Sequence, residues 1–113
     1  MLNQVVLVGR LVKDPELVET ETNKKLSRIT IAIPRSFKNM DGEYETDFIN
    51  CILWDVAAKN TVEYCKKGDI VGIKGRIQSN KYEDEEKVMH YSVEVIAERV
   101  TFLSNKKTEA EEE

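Results

Sequence analysis

The chain has 113 residues, 41% hydrophobic and 34% charged, the proportions of one folded domain that is too short for two hydrophobic cores. No apolar run approaches the roughly 20 residues needed to cross a bilayer, the longest being Val5-Val6-Leu7-Val8. Met1-Leu2-Asn3-Gln4 leads into that run without the basic and small-residue features of a signal peptide, so a cytoplasmic location with no membrane association is expected. The formal charge of −4 by itself disfavours a polyanionic partner. Its distribution changes that reading: four of the 21 acidic residues are Glu109, Glu111, Glu112 and Glu113, and the rest of the chain is charge-balanced, leaving room for a local basic face.

Taken in chain order, the segments read as strands with a single helix. Asn3–Leu11 is β-rich and is broken by Asp14-Pro15. Leu26–Ile33 alternates, placing Ile29, Ile31 and Ile33 on one face, and Pro34 is expected to end it. Met40-Asp41-Gly42-Glu43 is a turn signal in a charged loop. Thr46–Trp54 is a third strand. Asp55–Lys67 fits a helix, with Ala58, Val62 and Cys65 at helical spacing, Asp55 as N-cap, and Lys66-Lys67-Gly68 as the stop. Ile70–Asn80 alternates, Val71, Ile73, Gly75 and Ile77 opposing Gly72, Lys74, Arg76 and Gln78. A charged loop, Glu83–Lys87, precedes the last strand region, His90–Leu103. Three strands, a helix, then two longer strands is the order of an all-β, five-stranded OB-type Greek-key barrel with one α-helix between its third and fourth strands. The domain is expected to span residues 1–103, followed by a short acidic, disordered tail over residues 104–113. Cys51 and Cys65 share no short-spaced motif and read as small buried apolar residues.

Aromatic residues make up only 7% of the chain, so their placement is informative. In the third strand Phe48, Asn50, Ile52 and Trp54 share one face, while Ile49, Cys51 and Leu53 form a core-like set on the other. The two rings need cover, and stacked, unpaired bases supply it at about 1–3 kcal/mol each without regard to base identity. The competing reading puts both rings in a core buried on two sides. Phe37 and Tyr82 weigh against it, because both lie beside lysine or arginine in polar sequence without apolar periodicity. Candidate phosphate contacts interleaved with the rings are Arg10, Arg35, Lys38, Lys59, Lys74, Arg76 and Lys81.

At these residues the chain resembles bacterial single-stranded DNA-binding proteins of the homotetrameric OB-fold type. The resemblance is carried by Asn3–Leu11 with Asp14-Pro15-Glu16, by Ile29-Thr30-Ile31-Ala32, and by Arg35-Ser36-Phe37-Lys38 with Gly42-Glu43. It continues through Thr46–Trp54, Tyr64-Cys65-Lys66-Lys67-Gly68-Asp69 and Gly75–Tyr82, and so runs through nearly all of residues 1–103. It implies base stacking on Phe37, Phe48, Trp54 and Tyr82, a homotetramer that wraps DNA, and work in replication, recombination, repair or DNA uptake in association with the nucleoid. The expected departure is at the C-terminus: Ser104–Glu113 has neither the family's Gly/Gln/Pro-rich linker nor its Pro-Phe tip, which puts recruitment of replication and repair proteins through that route in doubt.

No catalytic residue, metal or cofactor is expected. His90 is the only histidine, no His/Cys/Asp cluster has ligand spacing, the five glycines form no phosphate-cradling pattern, and neither cysteine stands in a reactive motif. Two other readings stay open at this level: a barrel whose ring-bearing face meets protein, and RNA in place of DNA, since stacking does not read the 2′-hydroxyl.

Overall fold

The computed structural model of the chain describes residues 1–103; the acidic tail expected over 104–113 lies outside the described residues. The elements are β1 (Val5–Leu11), β2 (Val18–Glu19), β3 (Lys25–Lys38), β4 (Tyr44–Trp54), α1 (Asp55–Tyr64), β5 (Ile70–Glu83) and β6 (Met89–Phe102). Neighbouring strands follow the order β1-β5-β6-β4-β3-β2, and β1 also pairs with β3, closing the sheet on itself. All pairings are antiparallel except β4–β6, which is parallel. This is a five-stranded, mixed, closed barrel of OB type. The two-residue β2, too short to show a period, is an addition beside β3, and among the five barrel strands the helix does fall between the third and fourth.

The core explains the register. Leu11, Ile29, Ile31, Cys51, Leu53, Val71, Ile73, Val95 and Ala97 are buried together, with Ala58 and Cys65 closing the cluster from the helix and the turn after it. Each fully buried Leu, Ile or Val stabilises by about 1.5–3 kcal/mol, whereas a cross-strand pair contributes about 0.2–1 kcal/mol. Burial therefore decides which residues face inward, and the pairs Ile31↔Ile49, Ile29↔Cys51 and Ser27↔Leu53 follow. Both cysteines are free and buried, and burial pushes each thiol up to about 11, with Asp69 adding to the effect on Cys65.

Closure requires β1 to change partners. Val5–Arg10 pairs with β5, and Arg10 and Leu11 pair with Ala32 and Ile31 of β3. At Gly9 the backbones come so close that a Cβ would lie 2.9 Å from Ile33 Cγ1 and 3.0 Å from the Ala32 carbonyl oxygen.

Several boundaries differ from the sequence expectation. Pro34 does not end β3, which continues to Lys38 with a register shift between Pro34 and Lys38; an irregular ladder is where a proline, lacking an N–H, is tolerated within a sheet. Phe37 therefore lies on a strand rather than in a loop. Tyr82 lies within β5, opposite His90, one residue from the strand's end at the tip of the β5–β6 hairpin. The helix stops at Tyr64 instead of Lys67, because Cys65 returns to extended backbone (φ −124°, ψ 153°) while its N–H still reaches the Thr61 carbonyl. Asp55 is not the N-cap: Trp54 holds that position without a side-chain cap, and Asp55 is the first helical residue, at φ 51°. Asp69 and Asp14 secure the turn after the helix, accepting from the Lys66 and Lys67 N–H groups at 2.9 and 2.7 Å.

β5 and β6 extend beyond the barrel as a two-stranded arm. Their register shifts between Lys74 and Gly75, since Lys74 pairs with Arg99 but Gly75 with Ala97, leaving Glu98 as the extra residue of a bulge. A Cβ on Gly75 would fall 2.0 Å from the Ile96 carbonyl oxygen, so only glycine fits. Gly75→Ala is expected to destabilise the fold by about 1–3 kcal/mol or more, the usual cost of forced overpacking. Gly72→Ala, whose added carbon would meet nothing closer than 3.5 Å, should stay near the parent. Equal urea midpoints for the two variants would disprove the steric role of Gly75.

Candidate nucleic-acid interface

Partners across a β-ladder share a face, and successive residues alternate. On β4 the outward set is Phe48, Asn50, Ile52 and Trp54, and opposite it on β3 stand Ala32, Thr30, Arg28 and Leu26. Phe48 is 64% exposed and Trp54 37%, so the two rings lie outside the core, as the strand parity predicted. The face is not uniformly open, because Ile52 and Leu26 between and beside them are buried. Thr30 Oγ1 donates to Asn50 Oδ1 at 2.9 Å, fixing a polar step between Phe48 and Trp54.

The face continues onto the neighbouring strands. Ile52 pairs with Ile96 of β6, which pairs with Arg76 of β5, so Arg28, Ile52, Ile96 and Arg76 form one row across the sheet. On β5 the residues in phase with Arg76 are Gln78, Asn80 and Tyr82, and Tyr82 is 58% exposed. Arg76 Nη1 donates to Gln78 Oε1 at 3.0 Å. Arg10 joins a second row, Arg10–Ala32–Phe48, with Nη1 donating to the Gly68 carbonyl at 2.8 Å. Phe48, Trp54, Tyr82, Arg10 and Arg76 are thus gathered on one outer surface.

Phe37 is not tied into these rows. It is 66% exposed, on the end of β3 beyond the register shift. Lys38 beside it places Nζ 5.8 Å from the Tyr44 ring centre. Lys59 is exposed on α1. Lys74 precedes Arg76 on the same strand face, between Val6 and Arg99. Lys81 opposes Tyr91 and, by alternation, occupies the face of the arm opposite Tyr82.

Arg35 is engaged within the chain. Its Nη2 and Nε reach Asp47 Oδ1 at 2.9 and 3.1 Å, and Nη1 donates to Glu45 Oε1 at 2.9 Å. Hydrogen bonding to Asp47 raises the guanidinium's affinity for its proton and, reciprocally, holds the Asp47 carboxyl below its usual range. A phosphate reaching Arg35 has two carboxylates to displace.

One basic residue escaped the sequence reading. Arg28 lies on the outer face between Phe48 and Trp54, its side chain 67% exposed and Nη1 3.6 Å from Glu94 Oε2; the other Glu94 oxygen accepts from Asn80 Nδ2 at 2.7 Å. The signal was present, since Arg28 alternates against Ile29 and Ile31 as Lys74 and Arg76 alternate against Ile73 and Ile77. Among the described residues no group of three or more His, Cys, Asp or Glu is placed to hold a metal ion, and no helix is long and apolar enough to cross a membrane.

A small closed barrel with separated exposed rings and arginines on one outer face belongs to the class of oligonucleotide-binding barrels. Comparison with known proteins makes this specific: the pattern of the single-strand binding protein family matches residues 2–103, and the chain belongs to that family. It is 50% identical to "Single-stranded DNA-binding protein B" of Bacillus subtilis over 96% of each chain. It is 44% identical to "Single-stranded DNA-binding protein 1" of Lactococcus lactis, over 99% of this chain and 75% of that one. It is 46% identical to the "Single-stranded DNA-binding protein" of Bacillus cereus, over 91% of this chain and 61% of that one. The membership assigns the chain to a family of non-enzymatic single-stranded DNA-binding proteins.

The exposure of Trp54 separates it from its buried neighbour. Leu53→Ala is expected to cost about 2–5 kcal/mol of folding stability. Trp54→Ala should cost clearly less, and thermal unfolding of the two variants checks the order. A Trp54→Ala loss equal to that of Leu53→Ala would return the ring to the core.

Proposed function

We propose that the protein binds and protects single-stranded DNA without regard to sequence, by stacking bases on Phe37, Phe48, Trp54 and Tyr82 while basic side chains meet the phosphates. The observation that carries the reading is the single outer face on which Phe48, Trp54 and Tyr82 are exposed, with Arg28 and Arg76 in the row between them and Arg10 at the end of the Phe48 row. A path along these rings alternates apolar faces for bases with cations for the backbone, which is what a flexible single strand requires. Lys38, Lys59 and Lys81 add charge around this path, Arg35 contributes once it is released from Asp47 and Glu45, and Lys74, paired with Val6, stands instead at the apolar surface of β1. The setting is the cytoplasm, in replication, recombination, repair or DNA uptake.

The assembly is a homotetramer. Val6 and Val8 are 69% and 53% exposed on the outer face of β1, beside Gly72, Thr101 and Leu103, an apolar surface that a second copy would cover. Recruitment through a hydrophobic C-terminal tip is not part of this reading.

Oligo-dT is expected to quench Trp54 emission, and binding should weaken with salt at a log–log slope near −0.7 per phosphate neutralised. A titration over a series of oligomer lengths, with solution mass measured on the same samples, reads ligand, stoichiometry and assembly together. Binding to protein but not to oligo-dT, or a preference for RNA of the same length, would replace the proposal with one of the other two readings.

Removing a carboxylate beside Arg35 should strengthen binding. Asp47→Asn leaves Arg35 with Glu45 as its one carboxylate partner and deletes a like charge to phosphate, so affinity should rise and the salt slope steepen, by at most about 0.7 for one added phosphate contact. A weakened complex would show instead that Asp47 is needed to hold Arg35 in place.

A further inference from the structure

Beyond the barrel the arm has no third strand. β4 pairs with β6 only at Cys51–Leu53 with Val95–Ala97, so residues from Ser79 to Glu83 face only Met89–Val93. A ring there has no core behind it, and an isolated exposed ring must be ordered when a base stacks on it, which reduces the net gain. Tyr82 is nevertheless not isolated. Its ring stacks on that of His90, its cross-strand partner, with centroids 5.0 Å apart and planes 19° from parallel.

His90 is in turn fixed from the hairpin turn. Asp84 Oδ2 lies 2.7 Å from His90 Nε2; a carboxylate oxygen only accepts, so the proton of that bond is on Nε2. The other oxygen, Oδ1, accepts the backbone N–H groups of Glu86 and Val88 at 2.9 and 2.8 Å, while the Asp84 N–H donates to the Val88 carbonyl at 3.1 Å. These bonds, the His90 bond foremost, hold the Asp84 carboxyl below its usual range. The turn backbone, Asp84, His90 and Tyr82 form a continuous series of contacts, each fixing the next.

We propose that His90 is a positioning residue for single-strand binding, its ring backing one face of Tyr82 so that the other face is held ready to receive a base. The inference rests on the stacking role proposed for Tyr82. It places a base, Tyr82 and His90 in a three-layer stack at the end of the arm, with Asp84 as its anchor. The role is one of orientation: His90 need not touch DNA, and its contribution passes through the tyrosine.

The test is a double-mutant cycle on the full chain, read by oligo-dT affinity at fixed salt. His90→Thr removes the ring while keeping a good strand former on a half-buried position, and His90→Phe keeps the ring without the bond to Asp84. Tyr82→Ala should weaken binding about 5-fold or more. His90→Thr should weaken it about 2- to 12-fold, the range an aromatic pair contributes, and His90→Phe should recover affinity to within about twofold of the parent. In a Tyr82→Ala background, His90→Thr should have no further effect. If Tyr82→Ala weakens binding but His90→Thr does not, or if His90→Thr weakens it equally with and without Tyr82, the positioning role is overturned and the stacking role of Tyr82 stands. If Tyr82→Ala binds as the parent does, the stacking reading itself fails at this position and the proposal fails with it.

Discussion

The burial of Leu11, Ile29, Ile31, Cys51, Leu53, Val71, Ile73 and Val95 in one cluster fixes the register of the barrel, and the outward face depends on that register. A slip of one residue on β4 would bury Phe48 and Trp54 and expose Cys51 and Leu53. The several kilocalories per mole gained by the inward set are therefore what keep the outward rings outside, although those rings contribute little to folding themselves. Closure adds a second constraint, since β1 must pass from β5 to β3 at a glycine, and Arg10 is delivered to the Phe48 row by the same crossing.

The electrostatics of the outer face are balanced locally. Arg28 faces Glu94 and Arg10 is bonded to a backbone carbonyl, while Arg35 sits between Asp47 and Glu45, which alternate with Phe48 on β4 and so lie on the other face of that ribbon. Exposed pairs of this kind add little to stability. They do hold long side chains in place with guanidinium groups still accessible, so a phosphate meets cations already oriented. The balanced charge of the domain, at first sight unpromising for a polyanion, is compatible with binding because Glu94, the carboxylate beside the outer-face Arg28, is itself paired with it.

Most of the barrel was legible in the sequence because alternation survives wherever one face is buried. Ile29-Ile31 and Cys51-Leu53 announce their strands, and the parity of Phe48 with Trp54 follows from counting. What was not legible depended on pairing. Pro34 reads as a terminator, yet an irregular stretch of ladder absorbs it, and Phe37 moves from loop to strand as a result. The strand read as ending at Asn80 runs on to Glu83, because Lys81, Tyr82 and Glu83 find partners on β6 and extend the arm. The opposite orientations of Lys81 and Tyr82 follow from the same pairing, which no local pattern displays. Arg28 was visible by the same parity that singles out Lys74 and Arg76 on β5. The stack of Tyr82 on His90 joins residues eight apart through a turn, and only the hairpin register shows it.

The bulge opposite Gly75 decides which side chains the arm presents together. Before it, even-numbered residues of β5 meet odd-numbered residues of β6; beyond it, even meets even. Glu98 is left out of the ladder, and the outer half of β6 is offset by one position as a result. Were Glu98 paired with Gly75 in a regular ladder, His90 and Glu94 would turn to the reverse side, and Tyr91 and Val93 would come up opposite Tyr82 and Asn80. Side chains along the arm can be exchanged one at a time, but Tyr82 meets His90 only while the bulge keeps Glu98 out of the ladder.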